Sequence, residues 1–149
     1  MQFSYDRKKS LGHLAGLASR LLSNTLGKRF QDAGIDMTAE QWGAILILLN
    51  DDAMTQGQIG ERLFLEKSST SRLADRLEQR GWIARTKAPG DSRQKLVAPT
   101  PLTLETVEHC ASIARTVLEE AQRGLSQEER SLCRSLLARI IANLEETAV

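Results

Sequence analysis

Residues 67–79 concentrate hydrogen-bond donors on one side of a predicted helix. On a wheel of about 100° per residue, Ser68, Ser71, Arg72 and Arg76 share one face, and apolar side chains occupy the other. Hydroxyls near a helix start bind phosphates or base edges alongside the unpaired first-turn amides, and an arginine donates two parallel hydrogen bonds to guanine or phosphate. The outward face therefore suits an anionic groove. A solvated amphipathic helix is the alternative on this segment alone.

A predicted β-hairpin follows the helix and adds further cations. Gly81 lies where a helix C-terminus favours a positive φ, and the residues after it are rich in strand formers on either side of a turn-rich tip at 87–93. A narrow minor groove concentrates negative potential that a guanidinium satisfies, so we expect Arg93 to enter it, with Asp91 pairing with Arg93 to hold its orientation. The two strands are predicted at 82–85 and 94–98.

Helix, turn and winged hairpin, in that order, are typical of modules that read duplex DNA. The candidate DNA contacts combine the hydroxyls of the helix start, the outward arginines and the cations of the hairpin. They are Ser68, Ser69, Thr70, Ser71, Arg72, Arg76, Lys87, Arg93 and Lys95, with Asp91 orienting the wing. Thr70 is included for its place near the helix start, although the wheel puts it on the apolar side.

The run from Thr38 to Val97 resembles the MarR family of winged helix-turn-helix regulators. A helix that ends Arg-Leu-Glu-Gln-Arg-Gly precedes a strand, a Pro-x-Asp-x-Arg wing and a second strand. The residues that carry the resemblance are Thr38, Gln41, Trp42, Leu63, Ser71, Arg72, Leu73, Arg76, Leu77, Glu78, Arg80, Gly81, Arg85, Asp91 and Arg93. The resemblance implies a mainly α fold, with a two-stranded β wing and flanking dimerisation helices.

The chain departs from the family pattern after the second wing strand. The family usually shows Leu-Thr and then Gly, whereas residues 99–103 read Pro-Thr-Pro-Leu-Thr. Two prolines fix φ near −65° and remove ladder donors, so we expect a stiff exit from the wing. Thr100 is expected to cap the helix that follows.

Helical spacing of leucines predicts long helices at both ends of one domain, 1–149, around a winged-helix part at 38–98. Helix starts are indicated at Thr38, by a capping box, and again at Thr55. The end helices, 10–34 and 102–147, carry more apolar surface than a small domain covers, with a seam in steps of three and four through Cys110 and Cys133. We expect these helices to form a homodimer; packing within one chain is the alternative. A two-fold dimer reads a palindrome whose half-sites lie about one helical turn, roughly 10 base pairs, apart.

The resemblance also implies a small effector, often an aromatic or phenolic acid, bound between the dimer helices and the DNA module. Candidate contacts are polar or aromatic groups on otherwise apolar helices, namely His13, Arg20, Asn24 and Trp42. Trp42 in the core and Arg20 as a solvated or interface charge are the alternatives. We predict repression, because a dimer on a promoter most simply blocks polymerase, with activation as the alternative.

Some relatives sense oxidants through a cysteine, so a thiol-based redox regulator of the same fold is an alternative function. Cys110 and Cys133 fall on the apolar seams, and a seam position predicts a buried, inert thiol. Two histidines and two isolated cysteines provide few ligands for a metal ion, so no metal site is expected. We also expect no other cofactor.

Charge and motifs bound the remaining functions. The net charge is +1, yet residues 66–95 carry eight basic and four acidic side chains, whereas the stretch from Glu105 onward carries five arginines and eight glutamates. No phosphate loop or nucleophile elbow is present, so we expect no enzyme and no catalytic residue. The sequence lacks a signal segment and a membrane span, which predicts a cytoplasmic protein. The competing class is a winged-helix protein-interaction module whose basic hairpin meets an acidic partner.

Overall fold

A helix-turn-helix and a β-hairpin lie between long helices at the two ends of the chain. A computed structural model describes residues 4–51 and 53–148. After a 3₁₀ helix at Arg7–Lys9, the helices are α1 (Leu11–Asp32), α2 (Ala39–Asn50), α3 (Gln56–Arg62), α4 (Lys67–Gln79), α5 (Pro101–Ala121) and α6 (Gln127–Thr147). The strands are β1 (Met54–Thr55), β2 (Ile83–Ala88) and β3 (Asp91–Pro99). The predicted mainly α fold with a β wing is confirmed.

Side-chain caps fix where the helices begin. Thr38 and Thr55 each form a capping box. The threonine hydroxyl oxygen accepts a hydrogen bond from the amide of the third helical residue, a glutamine, and the side-chain oxygen of that glutamine accepts one from the threonine amide. Thr100 accepts from the amide of Thr103 and so caps α5, as predicted. Pro101 occupies the first position of α5, where a missing N–H has no cost.

The wing is a three-stranded antiparallel sheet in the order β1-β3-β2, rather than the two-stranded wing expected. β1 adds only Met54 and Thr55, which pair with Val97 and Leu96 of β3. The strands also run further than predicted. Because β2 reaches Ala88 and β3 begins at Asp91, the hairpin tip is Pro89 and Gly90, with Gly90 at φ 80°.

A single core lies beneath the helix-turn-helix and continues under α1 and α5. Trp42 is buried and its ring meets Phe30 edge-on, with centroids 6.0 Å apart and an interplanar angle of 70°. The core also takes in Ile45, Val97 and Cys110. The α1 end of the core is held by a two-pronged ion pair, in which Arg29 donates to both carboxylate oxygens of Glu120 on α5 at 3.2 and 2.7 Å.

The two C-terminal helices, α5 and α6, differ in how their apolar seams are covered. On α5, Cys110 and Val117 are buried and Val107 and Ala114 pack against the core, so this seam is satisfied within the chain. For these α5 side chains the structure shows packing within one chain, the alternative that the sequence left open, while Leu102, Leu104 and Leu118 of the same helix are exposed. On α6, none of the described residues is buried, and Leu132, Leu136, Leu137, Ile141 and Leu144 are all exposed.

Within residues 4–51 and 53–148, no helix combines the length and the apolar character needed to cross a bilayer.

Candidate nucleic-acid interface

The outward face of α4 presents cations and hydroxyls to solvent. Ser68, Arg72 and Arg76 are exposed, and Ser69 and Ser71 are half-buried. Arg72 is oriented locally, since its Nη2 donates to Ser69 Oγ at 3.3 Å. Glu66, the N-cap residue of α4, makes no side-chain capping bond, so the first-turn amides are left open to an external acceptor.

Thr70 is the exception on this helix. It is only 4% exposed, lies against Gly60 of α3, and its hydroxyl donates to the Glu66 carbonyl at 3.0 Å. The prediction that Thr70 contacts DNA was wrong, because its side chain joins the two helices. The helical wheel had already placed Thr70 on the apolar side, and that signal should have excluded it.

The wing presents a second set of cations. Arg93 is 91% exposed, and Asp91 Oδ1 accepts from its main-chain amide at 3.0 Å and from its Nε at 3.3 Å. Asp91 therefore contacts both the main-chain amide and the guanidinium of Arg93. Lys87 and Lys95 are also exposed and face one another across the two strands. Of the residues predicted as the tip, Lys87 and Arg93 lie in strands, which fixes their direction better than a loop does.

A cleft lies on the wing side of the helix-turn-helix, and the outward residues Ser68, Arg72 and Arg76 of α4 do not line it. It runs between the start of α3, the start of α4 and β3, and Arg93 and Lys95 line it. Sequence reasoning missed Gln56, Gln58 and Lys67, which line the same cleft. Lys67 contributes to the positive charge of the segment and was detectable in that way, whereas the two glutamines become neighbours of the wing only when the chain folds.

Sequence reasoning also missed the role of Arg85 in β2. Its guanidinium donates to Asp75 and Glu78 of α4 and to Gln56 of α3, at 2.7 to 3.0 Å. The hydrogen bond from Arg85 lowers the pKa of Glu78 below its ordinary value, and Glu78 in turn raises the pKa of Arg85. The four side chains form one network between the wing and the helix-turn-helix.

The predicted effector residues do not form one site. Asn24 lines an open crevice of about 860 Å³ between α1, the α1–α2 loop and Arg80 at the end of α4. His13 and Arg20 are exposed on α1 and are not among the residues that line this crevice. Trp42 lies in the core against Phe30, so the effector prediction for Trp42 was wrong.

The two cysteines have different surroundings. Cys110 is buried, and the desolvation raises the pKa of its thiol, so the reactive thiolate is disfavoured. This agrees with the expectation of an inert thiol. Cys133 on α6 is exposed in the single chain, which differs from the burial predicted for a seam position.

The arrangement of α3, α4 and the β2–β3 hairpin defines a winged helix-turn-helix protein. A sequence profile of the MarR family matches residues 35–94. The HTH-type transcriptional regulator MT0903.1 of Mycobacterium tuberculosis (strain CDC 1551 / Oshkosh) is 29% identical over 142 residues, which span 95% of this chain and 98% of the relative.

Two solved structures have the same fold. One is a cysteine-to-serine mutant of MarR from Escherichia coli complexed with operator DNA, with a TM-score of 0.81 and 21% identity over 93% of this chain and 99% of that chain. The other is the PcaV transcriptional regulator from Streptomyces coelicolor in complex with its natural ligand, with a TM-score of 0.79 and 20% identity over 95% of this chain and 98% of that one. Residues 35–94 of the chain are therefore similar to the MarR family, and the chain as a whole has the fold of these two structures.

Proposed function

We propose that this protein is a cytoplasmic repressor that binds a palindromic operator as a homodimer and is released by a small effector. The chain is one domain in which 38–98 reads the DNA and 10–34 and 102–147 support the dimer. The proposal assigns it no catalytic step and no cofactor. The proposed DNA contacts are Ser68, Ser69, Ser71, Arg72, Arg76, Lys87, Arg93 and Lys95.

The observation that carries the proposal is the shared exposure of the α4 face and the wing arginine. Arg72 and Arg76 are spaced by four residues on one side of α4, so both reach the same groove. Arg93 extends from β3 with 91% of its side chain exposed, on a second projection from the same unit. Two cationic projections of this kind match a major groove and the adjacent minor groove.

The dimer is supported by the bare face of α6. Five large apolar side chains, spread from Leu132 to Leu144, lie on a helix that buries none of its residues. A contiguous apolar surface of this length on a soluble monomer is uncommon, and a second copy would cover it. Leu11, Leu14, Leu17 and Leu21 of α1 are exposed as well. We infer that α1 and α6 supply the dimer contacts together with the exposed leucines of α5, which are Leu102, Leu104 and Leu118.

The effector is proposed to enter the crevice beside Asn24. Its volume falls in the range of small-ligand pockets, and it combines Ile35 and Met37 with the Asn24 amide and the Arg80 guanidinium, whose Nε lies 3.2 Å from Asp36 Oδ2. These groups suit a small aromatic or phenolic acid. PcaV, the structural neighbour with its natural ligand, supports a ligand-responsive role for this fold. His13 and Arg20 enter the proposal only as contacts that the partner chain brings near.

The experiment is a selection of bound sequences from random duplex DNA, followed by measurement of the mass of the complex. The proposal predicts one inverted repeat with half-site centres roughly 10 base pairs apart and two chains on each duplex. Recovery of random sequences, with affinity that depends on salt alone, would contradict it and favour a basic surface that meets an acidic protein.

The effector is tested on the same complex. Small aromatic acids are screened for a rise in melting temperature, since a ligand that binds the native state stabilises it. A ligand that raises the melting temperature is then expected to release the operator. A ligand that stabilises the protein but leaves the complex intact contradicts the release mechanism.

A further inference from the structure

We infer that Arg85 is a positioning residue that sets the wing at a fixed angle to α4, so that the contacts of Arg93 and of α4 with DNA depend on one another. The inference rests on the proposed function and deepens it. Arg85 is not itself a DNA contact, because its side chain is only 11% exposed.

The contacts of Arg85 reach two helices from one strand. Its Nη2 donates to Asp75 Oδ1 at 2.7 Å and to Glu78 Oε1 at 3.0 Å, both on α4. Its Nη1 donates to Oε1 of Gln56, the first residue of α3, at 3.0 Å. The second oxygen of Glu78 accepts from the main-chain amide of Arg85 at 3.2 Å. Glu78 therefore fixes both the side chain and the backbone of β2.

Arg85 occupies the base of the wing, where a small rotation has its largest effect at the tip. It pairs across the sheet with Val97 of β3, while the other end of β3 carries Arg93. On the α4 side, Asp75 lies directly before Arg76 in the sequence and three residues after Arg72. Movement at Arg85 would therefore shift the wing arginine relative to the arginines of α4.

The composition of the network favours a geometric role over a stabilising one. The Arg85 Nε atom is buried and has no hydrogen-bond partner among the described residues. Asp75 and Glu78 are about half exposed, so solvent weakens their attraction to the guanidinium. A partly buried ion pair is a weak source of stability, and a defined register is its best-attested use. The fork of an arginine, unlike a lysine, holds several acceptors in fixed directions.

A double-mutant cycle tests the inference. Arg85→Lys keeps the charge, so the long-range attraction to DNA is unchanged while the fork is lost. In the wild-type background, Arg93→Ala is expected to weaken binding to the selected operator about tenfold. In the Arg85→Lys background, the same change is expected to weaken it less than about threefold, because the wing is no longer aimed.

The matched control is Arg29→Lys, which removes another two-pronged arginine–carboxylate pair, between α1 and α5 and outside the wing. In that background Arg93→Ala should keep its full effect. Circular dichroism checks that each variant is folded. If Arg85→Lys does not fold, Asp75→Asn removes the shortest contact of the network and is expected to give the same loss of coupling.

Equal effects of Arg93→Ala with and without Arg85 overturn the inference and leave the proposed function standing. Failure of the wild-type chain to bind any duplex overturns the proposed function and, with it, the inference. The two failures are therefore distinguishable in one data set.

Discussion

Phe64 holds the turn between α3 and α4 in a backbone conformation that glycine adopts more easily. Its φ is 55°, and the amide of Leu65 donates to the Gly60 carbonyl at 2.9 Å, so Phe64 takes the left-handed position that ends a helix. Its side chain is 67% exposed, so burial of the ring offsets little of the strain. The turn is therefore a point of local strain beside the proposed reading helix.

We predict that Phe64→Gly stabilises the protein. Relief of the left-handed strain exceeds the added freedom of the unfolded chain, for a net gain of about 0.5 kcal/mol in the free energy of unfolding. Urea denaturation measures it. Phe64→Leu is the control, since it keeps a Cβ and the strain, and it should not gain stability. A glycine variant that is less stable than the leucine variant would contradict this account.

Residue-level expectations failed mainly where a side chain has two plausible surroundings. Trp42 was considered both as a ligand platform and as a core residue, and it packs on Phe30. Arg85 was recognised only through the family resemblance, because its partners lie 7 to 29 residues away in the chain. Periodicity reports which face a side chain occupies and contains no information about such distant partners.

At the scale of elements, Gly60 allows α3 to lie close against α4. A Cβ on Gly60 would collide with the hydroxyl of Thr70 and lie 2.9 Å from its methyl carbon. The helices are therefore close because residue 60 has no side chain. This contact sets the position of α4 relative to α3.

Gly60→Ala is expected to destabilise the protein by about 1 to 3 kcal/mol, as overpacking does, despite the better helix propensity of alanine. Gly43→Ala is the matched control, because it lies in α2 with nothing within 4 Å of the added carbon. The control should be neutral or stabilising. Thermal or urea unfolding of the two variants compares them, and equal stability would show that α3 and α4 can separate without cost.

The Arg29–Glu120 pair predicts a pH dependence of stability. The hydrogen bond from Arg29 lowers the folded-state pKa of Glu120 below its ordinary value of 4.5. The pair therefore contributes its stability above pH 4.5, and the contribution is lost as the pH falls through the lowered pKa. Glu120→Gln should show a shallower loss of stability in this acid range than the wild type. Glu119→Gln, which removes a neighbouring exposed carboxylate, should retain the wild-type slope; identical slopes for Glu120→Gln and the wild type would contradict the assignment.

The sequence predicted those elements that have local signals. The capping boxes at Thr38 and Thr55 located the starts of α2 and α3, and Gly81 located the end of α4. β1 was missed because two residues have no periodicity, and its only reason to be a strand is its pairing with β3. The predicted hairpin tip, residues 87–93, is longer than the observed one, because residues common in turns also occur at the exposed edges of strands.

At the scale of the whole molecule, the segment 66–95 gathers a net charge of +4 from eight basic and four acidic residues, while the chain as a whole carries +1. A localised positive field directs a polyanion to one side of the molecule without making the entire surface adhesive. The surface of α6 is apolar instead of cationic, and its exposed leucines suit an apolar partner surface. We infer that DNA and a second copy of the chain occupy these two separate surfaces.

The most direct test of this account is the affinity of Arg72→Ala and Arg93→Ala for the selected operator, with Arg115→Ala as a charge-matched control on α5. Arg115 is exposed and pairs only with Glu108 among the described residues. Arg72→Ala is expected to cost about 1 to 3 kcal/mol and to relax the base preference, and Arg93→Ala to weaken binding with a smaller change in preference. Arg115→Ala should bind as the wild type does. Equal losses of affinity for all three variants would show that binding depends on net charge alone. No loss of affinity for Arg72→Ala or Arg93→Ala would contradict the central claim that α4 and the wing hold the DNA.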